Sequence, residues 1–279
     1  MPEDITPYFF ICFKSFILGI VQGLTEFLPI SSTAHLKVVP SLFGWNDPGV
    51  SFSASMQLGS ALAIIYYFRN QIRLIIESFF SIFNDRKFFK DENTSLSAYI
   101  FIASIPIFIF GLLIKLYWPN YSDSNFRGLF SIAITSILMA IFLALSEIYG
   151  QKRKLFNDIN LKDIILLGFA QSLAIFPGVS RSGITLTSAL FSGIERKTAA
   201  RLSFLVGIPA ISISGFVELF TIFRTLSLID ILPTIIGIIS SFISSIFAID
   251  FFLRFLAKNN TFIFVYYRIV FGVLILITL

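Results

Sequence analysis

Two polar stretches hold most of the side chains that could do chemistry in this otherwise oily chain. The first reads Gln22-Gly23-Leu24-Thr25-Glu26-Phe27-Leu28-Pro29-Ile30-Ser31-Ser32-Thr33-Ala34-His35, the second Phe176-Pro177-Gly178-Val179-Ser180-Arg181-Ser182-Gly183-Ile184-Thr185. Gln22 and Glu26 lie four apart and share a helix face, Pro29 ends that helix, and Ser31, Ser32 and Thr33 can cap a following one. His35 falls one short turn beyond the cap. In the second stretch Pro177-Gly178 makes a turn whose hydroxyls and amides point into one opening, with Arg181 inside it. An arginine cannot shed its charge, so at membrane depth it needs an anion, and its planar fork suits phosphate oxygens. Glu26 can oppose Arg181 or hold a divalent metal against phosphate. His35 is the only histidine and suits a nucleophile or an acid and base near neutral pH. Together these groups outline a hydrolytic phosphate site.

Each group also has a plainer reading. Glu26 and Arg181 could be a structural ion pair in a transporter, and His35 could cap a helix end. Gln22, Ser31, Thr33, Ser182 and Thr185 could only satisfy the backbone of broken helices. Glu218 and Asp250 read as span-end residues. Trp45, Tyr66, Tyr67, Tyr117, Trp118, Tyr149, Tyr266 and Tyr267 read as interface anchors. Pro106 and Pro209 are expected to kink spans around the cavity, and Gln57 and Ser60 to line it.

What must position these residues is a membrane fold. The chain has 279 residues, 56% of them hydrophobic and 13% charged, with 35 Phe and a mean hydropathy of +0.86. It cannot present a polar surface to water on all sides. Apolar runs at 50–68, 96–118, 128–149, 202–223, 231–254 and 262–279 have the length to cross roughly 30 Å of hydrocarbon as helix. Stretches 15–40 and 163–193 are apolar but interrupted, and read as re-entrant broken helices. The opening residues, with Glu3 and Asp4, do not resemble a signal peptide and are expected to be retained. A single Cys12 excludes an intrachain disulfide and a thiolate cluster.

Fourteen of the 21 Lys and Arg residues fall in four connections that share one side if six spans alternate. That side is expected in the cytoplasm, with both termini outside. The net charge of +5 is therefore an orientation signal, not a nucleic-acid footprint.

The stretch Leu18-Gly19-Ile20-Val21-Gln22-Gly23-Leu24 resembles Leu167-Gly168-Phe169-Ala170-Gln171-Ser172-Leu173 at an offset of 149 residues, which also aligns Ser31-Ser32-Thr33-Ala34 with Ser180-Arg181-Ser182-Gly183. The expected architecture is an all-α polytopic membrane protein, one domain over 1–279. Repeat 1 (1–149) and repeat 2 (150–279) each hold a re-entrant segment and three spans. The repeats are inverted, so the broken helices meet near the midplane and hold an ion or substrate.

These motifs resemble the two signatures of the undecaprenyl-diphosphate phosphatase family, the bacitracin-resistance type, and the likeness extends through Gln57-Leu58-Gly59-Ser60 and Ser203 to Pro209. The resemblance implies an enzyme that removes the terminal phosphate from a C55 isoprenoid diphosphate at the outer face of a bacterial inner membrane, for carrier reuse in peptidoglycan synthesis. It implies dependence on a divalent metal, Mg2+ or Ca2+, with Glu26 as its ligand. It implies catalytic roles for Glu26, Ser32, His35 and Arg181; the sequence leaves attack on phosphorus open between His35, Ser32 and water, with His35 preferred as nucleophile or base and Ser32 close to the phosphate. Ser180, Ser182 and Thr185 would surround the phosphate, and Ser31, Thr33 and Gln22 are further substrate-binding candidates. Many members carry Glu where this chain has Gln22, which weakens Gln22 as a ligand or base, and Gly where Ala34 stands. Expected partners are the lipid substrate, membrane lipids and a second copy in a homodimer. The rival reading is a transporter or flippase for a lipid phosphate, since paired broken helices are above all a transporter design.

Overall fold

The computed structural model describes residues 5–45, 49–85, 92–225 and 228–278, and among them the regular elements are all helical. Hydrocarbon offers backbone groups no water, so each segment must satisfy its own N–H and C=O groups, which a helix does. The α-helices are α1 (Ile5–Phe27), α2 (Ser32–Leu42), α3 (Gly49–Tyr67), α4 (Arg69–Asp85), α5 (Glu92–Tyr117), α6 (Leu129–Tyr149), α7 (Leu161–Ser172), α8 (Arg181–Phe191), α9 (Arg196–Thr225), α10 (Ile231–Leu256) and α11 (Phe262–Thr278). Short 3-10 turns occur at Pro119–Asp123, Asn125–Arg127 and Leu173–Ile175, and Ala174 and Ile175 of the last line the cavity described below.

Among the described residues five helices are long and apolar enough to cross a membrane: Tyr8–Phe27, Glu92–Tyr117, Leu129–Tyr149, Arg196–Val217 and Ile231–Leu256. This is a multi-pass membrane protein. α3 and the 17-residue α11 coincide with the stretches 50–68 and 262–279 expected as spans, and neither is among those five. Two elements differ from expectation. The stretch expected to be re-entrant from residue 15 is the end of a longer helix, because Lys14 does not interrupt α1: its ammonium lies 4.5 Å from the Phe10 ring centroid and 5.4 Å from that of Trp45. α4 occupies residues read as a connection, with Arg73 and Glu77 paired on its exposed face and Ile72 and Ile75 turned to the core. Of the charged run from Asn84 to Glu92, residues 86–91 lie outside the described ones, as does the side chain of Glu218.

Small residues let the helices approach closely. α1 lies along α10, where a Cβ on Gly19 or Gly23 would collide with the carbonyl of Gly237 or Ser241. α7 lies on α5 in the same manner, and a Cβ on Gly168 would come within 2.9 Å of Ala103 backbone atoms. Gly19 and Gly168 are the residues aligned by the 149-residue offset. At the buried end of α1, Phe27 packs edge-on against Phe204, which packs on Phe252. On the basic side, buried Glu147 accepts from Arg196 Nε at 2.9 Å, from the Thr261 hydroxyl at 2.9 Å and from the Thr261 amide at 3.2 Å. That carboxylate ties the ends of α6, α9 and α11 together.

Candidate active site

Two broken helices build the site. α1 ends at Phe27, directly before Leu28-Pro29, and α2 starts after Ser31, whose φ is +73°. Ser31 Oγ caps α2 by accepting from the Ala34 amide at 3.4 Å. The second break repeats this geometry. Phe176 to Val179 form a turn with Pro177 and Gly178 (φ +92°) at its corners, closed by Val179 N–H donating to Phe176 O at 3.2 Å. Ser180 follows at φ +66°, and its hydroxyl accepts from the Gly183 amide. α2 and α8 are each 11 residues long, and start and stop at the same 149-residue offset. Left-handed backbone at a non-glycine residue is uncommon and costs energy. Its recurrence at both serines gives the sequence alignment a backbone counterpart.

A cavity of about 190 Å3 opens where the two helix starts approach, lined by Glu26, Ser31, Ser32, Thr33, Ser180 and Arg181, with Gln57, Ile107, Phe176, Ile211 and Ser214 further out. The first amides of a helix lack intrahelical acceptors, so the starts of α2 and α8 both turn positive dipole ends toward this space. At its wall Glu26 joins the two breaks. One carboxylate oxygen accepts from Arg181 Nη2 at 2.9 Å, and the other accepts from Ser32 Oγ at 2.6 Å and from Gln22 Nε2 at 2.9 Å. Gly207 on α9 leaves room for the guanidinium, since a Cβ there would collide with Arg181 Nη1.

Four expected site residues stand behind the cavity wall. Gln22 reaches Glu26 and, at 3.5 Å, Ser60. Ser182 Oγ donates to the carbonyls of Leu28 at 3.0 Å and Glu26 at 3.2 Å, stapling one break to the other. Thr185 donates to Arg181 O at 2.7 Å and meets Ser203 Oγ at 2.5 Å, holding α8 to α9. His35 departs furthest from its expected place. Its Nδ1 lies 2.7 Å from the Ser31 carbonyl and its Nε2 2.6 Å from the Tyr267 hydroxyl, while the ring stacks on Phe271 at 4.2 Å. A carbonyl only accepts, so Nδ1 carries the hydrogen, and in the neutral ring Nε2 accepts from Tyr267. Both ring nitrogens are thus engaged, one with the Ser31 carbonyl and one with Tyr267, and His35 is not part of the cavity lining.

Sequence reasoning passed over two residues of α11. Tyr267, expected as an interface anchor, meets His35, and Arg268 lies within the apolar run expected as the last span. Arg268 is 1% exposed and donates to Pro29 O at 3.0 Å, Gly178 O at 2.6 Å, Val179 O at 3.2 Å and Ser136 O at 3.2 Å. It therefore grips both breaks by their carbonyls. The available signal was its place in the middle of an apolar run, where a charge is costly without partners.

The sequence profile of Bacitracin resistance protein BacA matches residues 15–274. This chain belongs to that family. A relative from Prochlorococcus marinus (strain NATL1A), described as undecaprenyl-diphosphatase, is 80% identical over the full length of both chains. Relatives with the same description from P. marinus (strain MIT 9313) and Synechococcus sp. (strain CC9311) are 49% and 48% identical, covering 95% of this chain and 88% and 94% of their own. Among the described residues no cluster of three His, Cys, Asp or Glu side chains forms a ready metal site. Glu26 already accepts three hydrogen bonds, and a carboxylate has about four lone-pair positions. That donor set fits a hard cation only if a ligand's phosphate oxygens complete its shell, the habit of Mg2+ at phosphate sites.

Proposed function

We propose that the chain is an undecaprenyl-diphosphate phosphatase of a bacterial inner membrane, releasing phosphate from a C55 isoprenoid diphosphate so the monophosphate carrier returns to peptidoglycan synthesis. The observation that carries this reading is the Glu26 carboxylate, which holds a hydroxyl and a guanidinium at the meeting point of two helix starts. The terminal phosphoryl group lies against Arg181 and the amides and hydroxyls of Ser31 to Thr33 and Ser180 to Arg181. Phosphate draws Arg181 off Glu26, and the freed carboxylate becomes basic enough to take the Ser32 proton. Ser32 Oγ attacks the terminal phosphorus, the bond from that phosphorus to the bridging oxygen breaks, and the lipid monophosphate leaves. Water then attacks the phosphoserine, releasing inorganic phosphate and restoring the hydroxyl. Arg181 and the dipoles supply the electrostatic part of catalysis, the largest contribution in phosphoryl transfer. A bound Mg2+ or Ca2+, held by Glu26 and diphosphate oxygens, would neutralise developing charge.

The paired breaks support an inverted duplication, with α2 and α8 entering from opposite sides. The cavity meets α5 at Ile107, in the half leading away from the basic connections, which supports an opening on the outer face by the positive-inside rule.

The test is phosphate release from C55 and C15 isoprenoid diphosphates by detergent-purified protein, with and without Mg2+ or Ca2+. Ser32→Ala and Arg181→Ala are each expected to lower kcat/KM by about 10² to 10⁴. Folded protein that binds and moves the lipid but releases no phosphate would replace this reading with the flippase.

A further inference from the structure

α5 and α9 are packed together, and both contribute to the wall of the active-site cavity. Near the basic connections Leu96 of α5 and Leu202 and Leu205 of α9 wall one recess; further along, Ile107 of α5 and Ala210, Ile211 and Ser214 of α9 wall the active-site cavity. A proline precedes each of these later groups, Pro106 in α5 and Pro209 in α9, and proline inside a helix removes a backbone hydrogen bond and bends the axis. The buried residues of α5 all lie between Thr94 and Ser104.

Beyond Pro106 the exposure of α5 is patterned. Ile107, Gly111 and Ile114 are half-buried, at spacings of four and three that place them on one face, while Phe108, Ile109, Phe110, Leu112 and Leu113 are exposed. That face continues directly from the cavity wall at Ile107. At Gly111 a Cβ would meet nothing within 4 Å, so the line has a notch. On α9 Ile213 and Ser214 are exposed, and Ser214 Oγ donates to Gln57 Oε1 of α3 at 3.2 Å. The opposite side of the cavity is filled by Phe176, packed on Tyr121 and Phe126. The polar cavity therefore continues at Ile107 into an aliphatic line on α5 that is open at Gly111.

We propose that the line Ile107, Gly111, Ile114 on the second half of α5 is the groove for the polyprenyl tail, which leaves the cavity over Ile107 and passes the open point at Gly111 into the bilayer. The assignment rests on the phosphatase reading and adds to it where the lipid lies. A phosphate head at the apex forces an attached chain out along the apolar line continuous with it, since an isoprenoid has no polar group to satisfy the hydroxyls of the other walls. A short chain ends inside the cavity and never reaches Gly111.

The test compares Gly111→Trp with Leu112→Trp, which places the same bulk on the exposed face one residue on. Phosphate release is measured from C55 and C5 isoprenoid diphosphates. Gly111→Trp is expected to raise KM for the C55 substrate by about tenfold or more and to leave the C5 reaction at the wild-type rate; Leu112→Trp leaves both unchanged. Equal loss on both substrates, or none on either, overturns the groove. A photo-crosslinking residue at Ile114, with Leu112 as control, gives a readout independent of turnover. It should label with C55 diphosphate at Ile114 only. Labelling without phosphate release would keep the groove and remove the phosphatase; release without labelling, or crosslinks to a second copy instead, would do the reverse.

Discussion

Ser32 and His35 sit three residues apart on α2 and face different tasks. Ser32 turns to the cavity and to Glu26, while His35 turns back to the Ser31 carbonyl and to Tyr267. If the imidazole braces the turn, its donor matters more than its basicity. His35→Asn, which can still donate, should keep about tenfold more activity than His35→Ala, and Tyr267→Phe should cost less than either. Rapid acid quenching should trap phosphate in an acid-stable linkage on Ser32; an acid-labile one would return the nucleophile's role to His35. The types of the chemical residues were legible in the sequence because Glu26, His35 and Arg181 are costly in an oily chain and so need a purpose. Direction was not legible. Which way His35 points depends on Tyr267, 232 positions away, and no local pattern links the two.

At the scale of elements, the helices were readable from hydropathy and the breaks from Pro29 and Pro177-Gly178. α1 starts at Ile5, ten residues before the segment expected to be re-entrant, and Lys14 within it lies over the rings of Phe10 and Trp45. α4 was passed over because its polar face reads as a connection. The breaks are held by α11 through Arg268, whose partners are carbonyls of both turns. Replacing it by Met would leave those carbonyls without donors, at about 1 to 3 kcal/mol for each that stays buried. Arg268→Met is expected to lower the melting temperature in detergent and to depress turnover on C5 and C55 substrates alike, because the two turns lose their register. Gly23→Leu should act on α1 and α10, forcing their backbones apart and lowering thermal stability; an unchanged melting temperature would mean the helices separate freely.

For the whole molecule, the far end from the cavity is held by Glu147, which has Arg196, Lys152 and the Thr261 hydroxyl and amide around it. Breaking a buried pair by removing one charge strands the other, at about 3 to 5 kcal/mol. Glu147→Gln is expected to lower the melting temperature by several degrees while leaving KM near wild type, because the cavity lies beyond α9's Pro209; a rise in KM with no loss of stability would show that the two ends communicate. The active-site cavity itself has a lopsided symmetry. Ser32 and Arg181 occupy the same first step of two equal helices, each just past a left-handed serine. Two copies of a half-length chain would have to bring two hydroxyls or two guanidiniums to that spot. A single polypeptide is free to give one arm the attacking group and the other the anion holder, a division of labour that no symmetric pair of half-chains could adopt.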